Sequence, residues 1–210
     1  MAPMKPPPRG DAARIRIIGG RWRNTRLSVP ASPGLRPSSD RVRETLFNWL
    51  SPILPGARVI DVFAGTGVLG LESVSRGAAH AVLLEREPAV VQSLREVVQR
   101  LSAQEQVEVV PGDALGWLAR HHGQEFDLAF VDPPFDADLW QASLAALLPK
   151  LAAGAWLYLE SPHDNVPVLP AGWALHREGR TREVRFALYR APEPRGADTL
   201  ARNVSVAVPE

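Results

Sequence analysis

The chain has 210 residues, 45% of them apolar, and a net charge of +1, enough for one domain with a sizeable core. It has no cysteine, which excludes disulfides, cysteine-ligated zinc, iron–sulfur clusters and thiol nucleophiles. No apolar run approaches the roughly 18 residues of a membrane span, and the start, MAPMKPPPRGD, has no secretory h-region, so a cytoplasmic, membrane-free setting is expected.

Residues 1–13 are rich in proline and charge and are expected to be a disordered tail. Two β-prone runs follow, RIRII (14–18) and RLSV (26–29), with Gly19-Gly20 between them. They predict a hairpin, and with a Pro-rich linker they form a basic extension over 14–38. Residues 1–43 hold ten basic side chains against two acidic ones, a balance of +8; the remainder holds 14 basic and 21 acidic, a balance of −7. A basic arm on an acidic body suggests a polyanion contacted at one end. Trp22, between Arg21 and Arg23, either stacks on RNA or packs the hairpin onto the body.

Ser39 or Asp40 can cap a helix running to about Leu50, with Val42, Leu46, Trp49 and Leu50 on one face. From Ala57 the pattern alternates strand and helix: ARVIDVF (57–63), a helix over 68–76, AVLLE (81–85), a helix opening at Pro88, VEVV (107–110), a helix near Ala114, FDLAFV (126–131), a helix around 138–149 and AWLYLE (155–160). Val90, Leu94, Val97 and Leu101 mark the buried face of the second of these helices. WALHRE (173–178) and REVRFALYR (182–190) flank Gly179 as an antiparallel pair, and the tail over 191–210 lacks periodicity. Short apolar strands between helices imply a parallel sheet covered on both faces. The expected fold is α/β and Rossmann-like, a mostly parallel seven-stranded sheet with helices on both faces and a closing antiparallel hairpin. The main domain spans 39–190.

Gly65-Thr66-Gly67-Val68-Leu69-Gly70 matches G-x-G-x-x-G directly after a strand, a weak signal that also fits dinucleotides. Asp61 decides, four residues before Gly65. A carboxylate there repels a pyrophosphate but suits the ammonium of a methionine moiety; the competing reading is a cap for the next helix. Phe63 and Ala64 belong to the same loop. Glu85, 24 residues beyond Asp61, can accept both ribose hydroxyls. Asp113, followed by Ala114, can accept from an adenine amine or cap the helix that starts there.

Asp132-Pro133-Pro134-Phe135 closes the fourth strand of this series. An exocyclic purine amine is a poor nucleophile because its lone pair is delocalised. Attack on a methyl sulfonium also builds positive charge on that nitrogen. Two acceptors on its N–H bonds, the Asp132 carboxylate and the Pro133 carbonyl, stabilise that charge. Prolines stiffen the loop and remove donors, and Phe135 can stack on the base. The alternative is a strand-ending turn. His121-His122, His80, His163 and His176 read as solvated side chains and Trp117, Trp140, Trp156 and Trp173 as core. No metal site is expected.

Three blocks together resemble the RsmD family: Arg14-Ile15 with Ile17-Ile18-Gly19-Gly20-Arg21-Trp22-Arg23; Leu35-Arg36-Pro37-Ser38-Ser39-Asp40-Arg41-Val42-Arg43-Glu44 through Phe47-Asn48; and Asp61 to Gly70 with the Asp-Pro-Pro-Phe loop. The likeness covers roughly 14–190, and Ser38-Ser39 stands where the family usually has threonines. It implies S-adenosylmethionine as donor, S-adenosylhomocysteine as product, and N2 of a guanine in 16S ribosomal RNA as acceptor. It also implies a partly or fully assembled small subunit as substrate and places Arg36 and Arg41 to Asn48 near the cofactor mouth or the RNA, with Arg36, Arg41 and Arg43 the expected RNA contacts; a monomer is expected. Rival readings are adenine or glutamine-amide methylation, whose usual loop starts with Asn and ends in Tyr; an NAD-dependent oxidoreductase; and a non-catalytic assembly factor.

Overall fold

The computed structural model describes residues 15–27, 40–122, 125–134 and 139–193; the expected tail over 1–13, residues 194–210 of the other expected tail, Arg36, Ser39 and Phe135 lie outside them, whereas Ala191, expected to open that tail, is buried and donates its N–H to the Ala155 carbonyl. The elements are β1 (Ile15–Arg16), β2 (Arg26–Leu27), α1 (Asp40–Leu50), β3 (Arg58–Asp61), α2 (Val68–Ser75), β4 (His80–Glu85), α3 (Pro88–Arg100), β5 (Val107–Pro111), α4 (Ala114–Arg120), β6 (Phe126–Val131), α5 (Trp140–Leu147), β7 (Leu151–Pro162), β8 (Ala174–Arg180) and β9 (Val184–Arg190). Seven strands form one sheet in the order β5-β4-β3-β6-β7-β9-β8. β3 to β7 pair in parallel, and β9 and β8 close the sheet antiparallel. This is the expected Rossmann-like methyltransferase architecture. The order reverses between β3 and β6, the place where open α/β sheets bind ligands beyond their strand ends.

The two faces follow from the period-2 alternation of buried strands. Val59, Leu83, Leu128, Phe130, Tyr158 and Leu188 face the layer that holds the hairpin, α1, α2 and α3. Ile60, Val82, Leu84, Ala129, Val131, Leu157 and Leu159 face the opposite core, to which α4 and α5 contribute Leu118, Trp140 and Leu144. Every residue of α2 is buried; it is the helix squeezed between the sheet and the N-terminal hairpin.

Several boundaries differ from the sequence reading. β7 spans twelve residues rather than six. Its Ala-Ala-Gly start has no apolar pattern, but Leu151 pairs with Phe126 and Pro162 with Val184. β8 runs through Gly179 instead of ending before it, because the Phe186 ring of β9 lies over that position and a Cβ there would sit 2.2 Å from Phe186 Cζ. The α1 stripe is Arg43, Leu46, Phe47 and Leu50, with Val42 and Trp49 only half-buried. Trp49 still contributes, stacking on Phe186 with ring centroids 5.6 Å apart. Among the four tryptophans expected in the core, Trp140 is fully buried and Trp117, Trp156 and Trp173 pack at its margin. His121, expected in solvent, stacks on Trp117 at 4.4 Å, because it ends α4 against the sheet.

The N-terminal hairpin is part of the body rather than an appendage. Ile15, Ile17 and Leu27 are buried in the same core as α1 and α2. Ser75 at the end of α2 holds its turn: the Ser75 carbonyl accepts from Arg21 N, its hydroxyl accepts from Trp22 N, and that hydroxyl donates to the Gly19 carbonyl.

Candidate active site at the carboxyl edge of the sheet

The glycine loop leaves β3 and enters α2. Gly67, the residue before α2, has φ +71, a left-handed conformation that disfavours side chains, and it offers no side-chain cap. Asp61 supplies the missing acceptor, taking hydrogen bonds from the backbone N–H groups of Gly70 and Phe63. The capping role weighed for Asp61 is therefore real. The carboxyl is buried, and burial raises its pKa to about 7 against those two bonds, with Glu85 and Glu160 adding repulsion. Ala64 is buried and Phe63 half-buried in the same loop. Glu85 accepts from Gly65 N at 2.9 Å and from Glu87 N at 2.8 Å, so it shapes the loop as well as ending β4. Asp113 caps α4, accepting from Gly116 N at 2.7 Å, directly before buried Ala114.

β6 ends at Val131 and releases Asp132 and Pro133 at this same edge. Asp61 pairs with Phe130, Phe130 with Tyr158, and Val131 with Leu159, so Asp132 stands abreast of Glu160 on the next strand. The two-residue period puts Asp61, Asp132 and Glu160 on one face of the sheet. The Asp132 residue is half-buried, but its carboxyl is shielded from solvent. Burial first, then the charges of Glu160 and Asp61, push its pKa well above the usual carboxylate range. Tyr158 donates its hydroxyl to Glu160 Oε1 at 2.7 Å, and burial and Glu160 push that phenol well up. Every charged neighbour raising the Asp61 and Asp132 pKa values is another carboxylate. The site is thus prepared for a positively charged or proton-rich ligand.

Glu160 is a site residue that sequence reasoning missed. The signal was present: AWLYLE ends in a carboxylate as β3 and β4 do. Arg180 and Arg182 are a second omission. They flank the β8–β9 turn, which the pairing of Pro162 with Val184 brings to this edge, and both are exposed.

The expected RNA contacts are dispersed. The Arg21–Arg23 turn docks on the far end of α2, where Arg21 bonds Gln106 just before β5 and lies 4.3 Å over the Trp22 ring. That is the opposite edge of the sheet, roughly 15 Å or more away by strand length. Trp22 is half-buried against the core, the packing alternative. Arg41 is exposed in the first turn of α1. Arg43 is a correction: it is 1% exposed, donates to the Arg16 carbonyl at 2.8 Å, and pairs with buried Glu72 at 3.2 Å and with Asp40. Its charge is consumed inside the protein and cannot meet RNA. Among the described residues no His, Asp and Glu group could hold a metal ion, and no helix is long and apolar enough to cross a membrane.

The family model described as Conserved hypothetical protein 95 matches residues 15–190. The chain is 46% identical over 189 residues to ribosomal RNA small subunit methyltransferase D of Escherichia coli (strain K12), covering 89% of this chain and 94% of that protein. It is 39% identical to the protein of the same name from Haemophilus influenzae, covering 83% and 93%. The solved structure of yhhF from Escherichia coli is similar at a TM-score of 0.78 and 43% identity, covering 87% of this chain and all of that one. An RNA methyltransferase from Salinibacter ruber, solved with S-adenosyl-L-homocysteine, shares the fold at 17% identity and a TM-score of 0.55, covering 78% and 98%.

Proposed function

Because the chain belongs to the family described as Conserved hypothetical protein 95, the RsmD family, we propose that it methylates ribosomal RNA, taking the methyl group from S-adenosylmethionine and placing it on the exocyclic N2 of a guanine in the 16S RNA of the small subunit. One observation carries the reading. The Asp132-Pro133 acceptor pair and the Asp61–Gly67 loop stand at one sheet edge, on either side of the point where the strand order reverses.

The residues fit the donor. Asp61, and the negative field of Asp132 and Glu160, suit a cationic amino-acid end. Glu85 and Asp113 provide acceptors for ribose and adenine from the adjoining strand ends, and Phe63, Ala64, Gly65, Gly67 and Ala114 provide the walls. When bound, the donor supplies an electrophilic methyl on a sulfonium whose departure leaves a neutral thioether. Asp132 and the Pro133 carbonyl accept the two N2–H bonds and draw the lone pair out of conjugation. Positive charge then develops on nitrogen where two oxygens already point. Nearby positive charge favours ionised Asp132, offsetting the burial and the carboxylate repulsion that raise its pKa. As the N–C bond forms and the S–C bond breaks, the extra proton on nitrogen leaves to Asp132 or water. Phe135, outside the described residues, is assigned the base-stacking role.

RNA reaches this edge past exposed Arg180 and Arg182, with Arg41 on α1. Arg21 and Arg23 serve a more distant contact. The test is transfer from labelled donor to unmethylated small subunits, naked 16S RNA and duplex DNA, followed by digestion to nucleosides. Label in N2-methylguanosine from subunits is the expected result. Label in N6-methyladenosine keeps the chemistry and overturns the acceptor.

A further inference from the structure

Glu160 is the buried group that the transfer step leaves unused. It is 6% exposed at the end of β7, abreast of Asp132 in the β6–β7 register and on the same face. Neighbouring strands lie about 4.8 Å apart, so the two residues leave the sheet within the width of a purine, and Glu160 is the charge that acts most on Asp132. Glu160 is also held firmly. Its carbonyl accepts from the buried Trp140 indole at 2.8 Å and its Oε1 from the Tyr158 hydroxyl at 2.7 Å. Burying a carboxylate beside two others is costly, and the fold fixes this one in place next to the acceptor loop.

We propose that Glu160 is the specificity-determining residue for the acceptor base: its carboxylate accepts the N1–H of a guanine whose 2-amino group is held by Asp132 and the Pro133 carbonyl. The inference rests on the guanine-N2 reading and deepens it. Guanine presents N1–H and N2–H as neighbouring donors, and two carboxylates side by side match that pair. Adenine presents a lone pair at N1, so an accepting oxygen of Glu160 would face it in repulsion. Discrimination of this kind is strong, because the rejected base leaves a buried polar group unpaired.

The experiment uses 2-aminopurine, which keeps the 2-amino group but has an unprotonated acceptor at N1. The methylated guanine is first mapped with the wild-type protein. Small subunits are then reconstituted from ligated RNA carrying either base at that position. Wild type is expected to prefer guanine by roughly 10- to 100-fold in kcat/KM. E160Q keeps an acceptor for Tyr158 and gains a donor for N1. Its preference should fall to within a few-fold of unity, through loss on guanine and gain on 2-aminopurine. Tyr158→Phe, which frees Glu160 from its anchor without removing it, should lose part of the preference and serves if E160Q does not fold. Equal rates of the wild type on both bases, or an equal fall on both bases in the variants, overturns the inference and leaves the guanine-N2 reading intact. Absence of N2-methylguanosine in the wild-type mapping removes that reading, and this inference with it.

Discussion

At the scale of single residues, the site concentrates negative charge where a cation is to bind, and the three carboxylates have separable consequences. Asp132→Ala should lower kcat by about 100-fold or more, since one preorganised hydrogen-bonding group is typically worth that much, while donor affinity measured by calorimetry changes only a few-fold. Asp61 makes an opposite kind of prediction. Its carboxyl ionises near 3.8 when unfolded and near 7 when folded. Between those values unfolding releases a proton, so stability falls as pH rises across that window, by a few kcal/mol in all. Asp61→Asn should therefore melt higher than wild type at pH 8, with the gap shrinking toward pH 5, and should bind S-adenosylmethionine more weakly. Wild-type donor affinity should rise from pH 6 to 8, as a cation selects the ionised carboxylate; a flat profile would show that Asp61 does not face the cationic end. Asp61, Glu85 and Asp132 stood out in the sequence because each follows an apolar strand at a loop. The pKa pattern did not, because it depends on Glu160 arriving from a strand about thirty residues later in the chain.

At the scale of elements, the hairpin, α1 and α2 are joined by an ion network rather than by apolar contact alone. Glu72 is buried, accepts from Arg76 at 2.7 Å and 2.9 Å and from Ile18 N at 3.3 Å, and is paired with Arg43. Burial raises its pKa even so. Removing one partner of such a buried pair typically costs roughly 3–5 kcal/mol. Arg43→Ala should accordingly lower the urea midpoint sharply, and Arg43→Met with Glu72→Gln should recover much of it. Unchanged stability with weaker RNA binding in Arg43→Ala would return Arg43 to the RNA surface. The sequence placed α1 and the hairpin correctly but misassigned Arg43. A charge scan counts every arginine as solvent-facing, and nothing local announces an acidic partner 29 residues away. Helix and strand identities were readable because apolar periodicity is local. The extra length of β7 and the path of β8 through Gly179 were not, since pairing across the sheet decides both.

At the scale of the molecule, the +8 arm and −7 body overstate the polarity that RNA meets, because Arg43 and part of the hairpin are folded inward. The arginines at the carboxyl edge share the task. Arg180→Ala with Arg182→Ala should weaken RNA binding across sequences and lower the magnitude of the log–log salt slope by about 1 for each phosphate no longer neutralised, with donor affinity untouched. Arg23→Ala should give a smaller reduction. The strand order has a further consequence, for biogenesis. β3, β4 and β5 are made first, yet the second edge of β3 stays bare until β6 arrives, after the 64 residues between Asp61 and Phe126. At about 5–20 residues per second a nascent chain carries that open apolar edge for several seconds. The donor-side residues exist during that interval, while the acceptor side does not. Release of a truncated product in this window would yield an aggregation-prone half-sheet, so the last strands made are the ones that render the first ones safe.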